Sequence, residues 1–242
     1  MGIIKHIKNK IATVEAYLRS NNAMKSVAAV RINKCKKKMK ALNDVKEVSD
    51  FFSNKKGIFD KRNYHIIIGC NQGMCGPFLG YISSYIKNFI KENVKEDCFY
   101  ILGEKFLEYD LHKNISTNKL PLNDISILQI VEEIINQSLL KNKPTDVFLH
   151  YYNKNKMVIE HIIKNRDPNL QQDVYDLLNM VNIVMRAIYT SGFHENKERV
   201  LALEQAKTNA EKMQKKGYNE LNRVRQESIT NDLAEIVAGV LL

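Results

Sequence analysis

The sequence predicts an α/β protein in which long N- and C-terminal helices form an antiparallel coiled coil and the middle of the chain folds as a three-layer domain on a parallel sheet. Three observations carry that expectation. All four prolines, Pro77, Pro121, Pro144 and Pro168, fall in the middle of the 242-residue chain, so two long flanks contain no residue that breaks a helix interior. Apolar residues in both flanks recur at spacings of three and four. Between the flanks, short apolar or aromatic runs of strand length alternate with amphipathic stretches of helix length.

The first flank, residues 1–57, opens with Ile4, Ile7, Ile11, Val14 and Leu18, and the stripe continues more loosely through Val27, Ala28, Cys35, Met39, Leu42 and Val45. That spacing is the seam of one helix packing on another. A helix over residues 3–53 would be about 75 Å long.

The middle segment, residues 58–166, contains three candidate strands: Tyr64–Gly69, Cys98–Leu102 and Val147–Tyr151. Helical patterns separate them at Phe78–Val94 and at Ile125–Leu140, the latter with a face of Ile127, Ile130, Val131, Ile134 and Ile135. Strands alternating with helices predict a Rossmann-like parallel sheet with right-handed crossovers and helices on both faces.

The second flank, residues 167–242, opens on Asp167-Pro168, an N-cap followed by proline at the first helical position, where its missing N–H costs nothing. Leu203, Ala206, Ala210, Met213, Gly217, Leu221 and Val224 form its seam. Small residues in that seam let two helix backbones approach closely. Gly192, within Thr190-Ser191-Gly192, is expected to bend or interrupt the helix. Neither flank is stable alone as a half-apolar rod in water, so each covers the other.

Composition narrows the function. No run of about eighteen uncharged apolar residues occurs, so no membrane span is expected, and MGIIKHIKNK lacks the apolar block of a signal peptide. His6 stands where an N-myristoylation signal has Ser or Thr. A cytoplasmic protein with reduced thiols is expected: Cys35, Cys70, Cys75 and Cys98 follow no disulfide framework, and Cys70 and Cys75 lack the second ligand pair of a zinc site. The net charge of +10 is localised. Residues 1–57 carry 12 Lys and 2 Arg against 4 acidic residues, while the rest of the chain balances 23 basic against 23 acidic groups.

Catalytic motifs are missing. The turn Gly69-Cys70-Asn71-Gln72-Gly73-Met74-Cys75-Gly76 is rich in glycine, but Pro77 and Phe78 stand where a phosphate-binding loop needs Lys and Ser or Thr, and G-x-G-x-x-G cannot be drawn through it. It reads as a tight strand-to-helix turn. His6, His65, His112, His150, His161 and His194 are dispersed, and Glu132-Glu133 and Glu104/Glu108 read as solvated helix charges. No catalytic residue, cofactor or metal site is expected. The basic run Lys34-Cys35-Lys36-Lys37-Lys38-Met39-Lys40 would suit nucleic acid, yet no aromatic residue lies between Leu18 and Phe51 to stack on bases.

Three segments resemble one family, the gamma subunits of F-type ATP synthases. The C-terminal stretch Tyr218–Leu242 carries R-Q-x-S-I-T-x-x-L-x-E-I-V-x-G through Arg225, Gln226, Ser228, Ile229, Thr230, Leu233, Glu235, Ile236, Val237 and Gly239. Upstream, His194-Glu195 through Arg199, Ala202, Ala206 and Asn209 is similar to the family's S-E-x-x-x-R-x-x-A-x-x-x-A-x-x-N. Near the other end, Ala23, Met24, Val27, Ala28 and Ala29 match T-K-A-M-x-M-V-A-A-x-K, with Asn21 and Asn22 where the family often has Thr and Lys. The Gln72–Gly76 turn keeps the G-x-C-G core of the family's D-R-G-L-C-G-G, although Asn71 and Gln72 replace its acid-base pair.

The resemblance implies a non-catalytic central shaft turning inside a hexamer of alternating alpha and beta subunits, with a small stalk subunit on the globular domain and membrane contact only through other subunits. It implies partner contacts at Met24, Lys25 and Arg31, hydrogen bonds from Arg225 and Gln226 to a hexamer loop, and an apolar tip of Ile229, Leu233, Ile236, Val237 and Val240. The basic run becomes a shaft surface facing acidic loops. The chain passes almost directly from Ile163 to Asp167 where the family usually has a longer insert. A gamma-like shaft serving another machine, for motility or export, is therefore the alternative, and a basic helical nucleic-acid-binding protein is the remote one.

Overall fold

In the computed structural model, Tyr64–Ile68 lie in a central strand with every side chain but His65 at zero exposure, because this strand is covered on both faces. The structure describes residues 2–43, 62–92, 97–106, 117–120, 124–141, 145–166 and 174–240. The chain runs α1 (Gly2–Asn43), β1 (Arg62–Ile68), α2 (Phe78–Glu92), β2 (Cys98–Leu102), a 3-10 turn (Glu104–Phe106), β3 (Thr117–Leu120), α3 (Asp124–Lys141), β4 (Thr145–Asn153), β5 (Lys156–Arg166) and α4 (Val174–Val240). It divides into two units: Met1–Ala28 with Val200–Leu242, and Ala29–Arg199.

The second unit holds a five-stranded sheet of order β3-β2-β1-β4-β5. The first four strands are parallel, as the alternating pattern predicts. Two strands go beyond the sequence reading. β3 is a four-residue polar edge, and β5 returns antiparallel to β4, so the sheet is mixed rather than wholly parallel. The reversal is a two-residue hairpin in which Lys154 (φ 46°) and Asn155 (φ 67°) are both left-handed, the geometry whose twist matches the strands it joins.

α2 covers one face of the sheet through Phe78, Ile82, Ile86 and Ile90, packed with Ile67, Phe99, Ile101 and Tyr152. Ile127, Ile130, Val131 and Ile134 of α3, with Met180, Val184 and Ala187 of α4, cover the other, against Tyr64, Ile66, Tyr100 and Leu149. Burying one Ile or Leu contributes about 1.5–3 kcal/mol, so each face is strongly specified. Ile125, expected at the start of α3, is exposed. β1 and β2 approach so closely at their ends that a Cβ on Gly103, whose φ is 145°, would stand 2.9 Å from the Cys70 nitrogen. α4 passes through Gly192 without interruption, and a Cβ there would meet the Cys35 sulfur at 3.5 Å, an ordinary van der Waals contact.

The first unit is a helix pair. On α1 the buried and half-buried positions include Ile4, Ile7, Ile11, Val14, Leu18, Asn21, Lys25 and Ala28, and on the last part of α4 they include Leu203, Ala206, Ala210, Gln214, Gly217, Leu221 and Val224. Both series step by three and four. Met213, placed in the seam by its spacing, is 62% exposed and Gln214 takes its position, while Val27 also points outward and leaves the seam to Ala28. The continuation of the first helix to residue 53, the Asp167-Pro168 cap and the side chains of Ile135 and Val240 lie outside the described residues.

Candidate partner-contact site

The antiparallel sense of the pair follows from its contacts. Gln214 Nε2 (3.2 Å) and the Tyr218 hydroxyl (2.8 Å) both donate to Glu15 Oε1, and Lys25 pairs with Glu204. Ile7 and Ile11 pack with Leu221, with Ile4 and Val224 alongside. Gly217 permits this approach: a Cβ there would meet Ile11 Cγ1 at 3.0 Å. Lys25 Nζ and Glu204 are placed on the same register as Glu15 and Gln214, and extending that register brings Gly2 level with Glu227. Beyond that level α4 faces no helix among the described residues.

That free end is where the predicted tip lies. Ile229, Leu233, Ile236 and Val237 are 59%, 57%, 62% and 58% exposed, and their spacing of four, three and one places them on one stripe. A stripe of large aliphatics left in water marks an interaction surface. Arg225 and Gln226 sit just before it, both exposed. Arg223 pairs with Glu227 at 3.6 Å, and Thr230 Oγ1 donates to the Gln226 carbonyl at 2.9 Å, whereas the Arg225 guanidinium has no partner among the described residues.

The other predicted contact residues are engaged within the chain. Lys25 holds the Glu204 carboxyl below its usual range through their hydrogen bond. Met24 is half-buried beside it in sequence. Arg31, in the other unit, donates to the side-chain carbonyl of Gln72 in the glycine-rich turn. The substitution of Gln72 for a charged residue therefore leaves a neutral acceptor for an arginine, and Asn71 Oδ1 accepts the Glu104 N–H at 3.2 Å.

The same turn is gripped by a buried arginine. Arg199 Nε donates to the Gly73 carbonyl (3.1 Å) and Nη2 to the Gln72 carbonyl (3.2 Å), while its remaining donors reach Glu195 Oε1 (2.5 Å) and Asn196 Oδ1 (2.6 Å). Arg199, Glu195 and Asn196 are all about 5% exposed. A buried guanidinium is tolerated when paired and fully hydrogen-bonded, and this one uses four of its five donors. The i,i+4 spacing of Glu195 and Arg199 was the signal in the sequence; burial turns an ordinary helix pair into a clamp.

Sequence reasoning missed a second polar network. Register aligns Phe99, His65, Phe148 and His161 across β2, β1, β4 and β5, and the four rings stack successively with centroids 5.2, 5.1 and 4.4 Å apart. His65 Nε2 lies 3.2 Å from Asp97 Oδ2, its Nδ1 3.0 Å from His150 Nε2, and His150 Nδ1 2.7 Å from the Tyr85 hydroxyl. An ionised carboxylate only accepts, so His65 donates from Nε2, accepts at Nδ1 from His150, and His150 accepts from Tyr85. Both rings are neutral in this arrangement. Burial lowers the His150 pKa to about 3 and also lowers that of His65, which Asp97 opposes. Every ring nitrogen is already used, and Phe89, Phe99 and Phe148 pack around the pair, so the chain serves to hold β1, β4 and α2 together.

Among the described residues no group of three or more His, Cys, Asp or Glu could hold a metal ion, and no helix is long and apolar enough to cross a membrane. The model of the ATP synthase family matches residues 3–241. The ATP synthase gamma chain of Mycoplasma mycoides subsp. mycoides is 27% identical over 278 aligned positions, covering 99% of this chain and 98% of its own. Among solved structures, a chain of the Euglena gracilis mitochondrial ATP synthase in a complex of OSCP, F1 and c-ring superposes with a TM-score of 0.67 at 15% identity, covering 99% of this chain and 94% of that one. A chain of the rotor of the same synthase gives 0.62 at 14%, covering 94% and 99%. The helix pair, the mixed sheet and a match along the whole chain agree, and the chain belongs to the ATP synthase family, as a gamma subunit.

Proposed function

We propose that the chain is the central shaft of an F1-type rotary ATPase, coupling nucleotide turnover in a surrounding hexamer to rotation and carrying no active site of its own. The observation that carries this reading is the end of α4. Ile229, Leu233, Ile236 and Val237 remain more than half exposed on one stripe beyond the last contact with α1, which a sleeve of partner subunits would cover. Alpha and beta subunits of the hexamer are the expected sleeve, with residues 1–57 and 167–242 as the shaft and 58–166 as the globular domain that takes a small stalk subunit.

Such a shaft acts through asymmetry. Three chemically equivalent sites contact different faces of one body, so each is biased toward a different conformation, and rotation exchanges the biases. Arg225 is the charged group positioned for a transient hydrogen bond to the sleeve, since its fork of donors has no partner among the described residues. The +10 charge of residues 1–57 suits a surface that turns past acidic loops.

The relative from Mycoplasma aligns over 278 positions, more than the 242 residues of this chain, so the alignment leaves gaps in this chain. Shortness alone does not favour a repurposed motor: this chain covers 99% of a Euglena synthase rotor chain. Native mass spectrometry of the assembly recovered through a tag inserted at the exposed Lys154-Asn155 hairpin decides the matter. Three copies each of two nucleotide-binding subunits per copy of this chain is the expected result. Recovery of the chain alone, or with nucleic acid, would refute the shaft, and the remaining subunits would separate a synthase from a motor that drives other work.

A further inference from the structure

The glycine-rich turn contains a feature that the shaft does not require. Cys70 and Cys75, five residues apart, bring their sulfurs to 3.7 Å. Both point at one acceptor, the Gln72 carbonyl, at 2.9 and 3.6 Å. The backbone is left-handed on both sides of Cys75: Met74, between the two cysteines, has φ 59°, and Gly76, just after them, has φ 57°. Arg199 and Arg31 hold the same turn from outside through Gln72 and Gly73. The two thiols are thus positioned by the fold, while Cys35 and Cys98 make no such pair.

We propose that Cys70 and Cys75 form a peroxide-responsive dithiol, with Cys75 as the attacking thiol, Cys70 as the resolving thiol and an intramolecular disulfide as the product. The environment divides the roles. When Cys75 ionises, the single Cys70 proton turns from Gln72 to the Cys75 sulfur and favours the thiolate there. Burial and Glu195 oppose that shift, the Arg199 guanidinium assists it, and Cys70 itself is raised by the same bond and by burial. The sulfur that is more readily a thiolate is the nucleophile. Met74, between the two cysteines, is 62% exposed, so opening of the Gly73–Gly76 segment is the route to sulfurs that are otherwise sealed. A hydroperoxide is small enough to use that route.

The reaction balances in two steps. The Cys75 thiolate attacks one peroxide oxygen, the O–O bond breaks, and the departing hydroxide takes a proton to become water, leaving Cys75 as a sulfenic acid. Cys70 then attacks the Cys75 sulfur; the S–S bond forms, the S–O bond breaks, and hydroxide leaves with the Cys70 proton as a second water. Two thiols lose two electrons, and peroxide is reduced to two waters. Closing the bond from 3.7 Å to about 2.05 Å requires movement of the turn and removes both S–H donors from Gln72. It also pulls on α2, whose Phe78 N–H donates to the Cys75 carbonyl at 3.2 Å.

The test treats the purified full chain with stoichiometric hydrogen peroxide, alkylates it under denaturing conditions, and maps peptides by mass. The expected result is loss of both Cys70 and Cys75 from the alkylatable pool, a peptide lighter by two hydrogens, and full recovery with a dithiol reductant. Cys35, whose pKa burial raises, is expected to remain alkylatable at the same dose. In Cys70→Ser, Cys75 is expected to stop at the sulfenic acid and to be labelled by dimedone. Alkylation of both cysteines at a dose that already oxidises Cys35, or a disulfide to any other cysteine, would overturn the proposal. The wild-type measurement decides even if Cys70→Ser fails to fold.

Discussion

Lowering the pH from 7.5 to 5 should destabilise the sheet-bearing unit while ordinary carboxylates are still mostly ionised, and the magnitude follows from the buried histidine pair. His150 is fully buried, and burial with the neighbouring His65 pushes its pKa from 6.5 down to about 3. The unfolded chain takes up this proton near pH 6.5, but the folded protein does not until about 3. The stability that His150 contributes as a neutral group is therefore fully present above pH 6.5 and is lost progressively as pH falls toward 3. The loss is about 1.4 kcal/mol per pH unit, so about 2 kcal/mol is gone at pH 5 from this residue alone. His65, lowered chiefly by burial, and His194, lowered by burial and Lys197, act in the same direction. Urea unfolding followed by circular dichroism at half-unit pH steps measures the slope, and the carbon-bound ring protons of His150 report its titration by NMR. His150→Leu should flatten the slope markedly between pH 6.5 and 5. An unfolding midpoint independent of pH from 7.5 to 5, or a His150 resonance that titrates near 6.5, would refute the reasoning.

Four further outcomes are expected. Gly217→Val, which forces a side chain against Ile11, should destabilise the helix pair by about 1–3 kcal/mol, whereas Gly239→Ala, with open space around it, should be neutral or stabilising by up to about 1 kcal/mol; thermal unfolding compares them. Arg199→Met should cost about 3–5 kcal/mol by leaving Glu195 buried without its partner, and Glu195→Gln in the same background should recover part of that loss in urea titrations. Asn21→Leu should raise the melting temperature, because Asn21 is fully buried with its side-chain oxygen unpartnered, a defect that costs about 1–3 kcal/mol. Arg225→Ala with Gln226→Ala should leave the helical circular dichroism intact while reducing torque and the coupling of ATP turnover to rotation in the reconstituted assembly; unchanged torque and turnover would remove these residues from the contact surface.

What was legible in the sequence depended on whether a local period carried it. Ile4, Ile7 and Ile11 predict their own burial because a helix repeats its face every three or four residues whatever lies beyond it. Met213 was misplaced by the same rule: a heptad seam falls between residues 213 and 214, and only contact with Glu15 selects Gln214. β5 escaped notice because its hairpin uses Lys154-Asn155 without a glycine, so the turn gives no compositional mark. The four residues of β3 are too few and too polar to show alternation. His65 and His150 are 85 positions apart, and nothing short of the β1–β4 register brings them together. The Glu195–Arg199 pair was visible as a spacing, but its burial over a turn 126 residues away was not.

A shaft of the kind proposed has to discriminate among the states of its partners, and it does so only through contacts that differ between those states. The distribution of satisfied and unsatisfied groups says where such contacts are available. Lys25 is paired with Glu204 and Arg31 with Gln72, so engaging either with a partner means breaking a bond within the chain first. Arg199 is more firmly committed, with four donors used and almost no exposed surface. Arg225 and the Ile229–Val237 stripe have no such commitments among the described residues, and the +10 charge of the first segment acts at a distance without breaking anything. A partner therefore gains most, at least internal cost, at the end of α4. The expectation that follows is an ordering: substitutions at Arg225 and the aliphatic stripe should alter coupling at unchanged fold stability, whereas those at Arg31 and Arg199 should alter stability first and coupling only as its consequence.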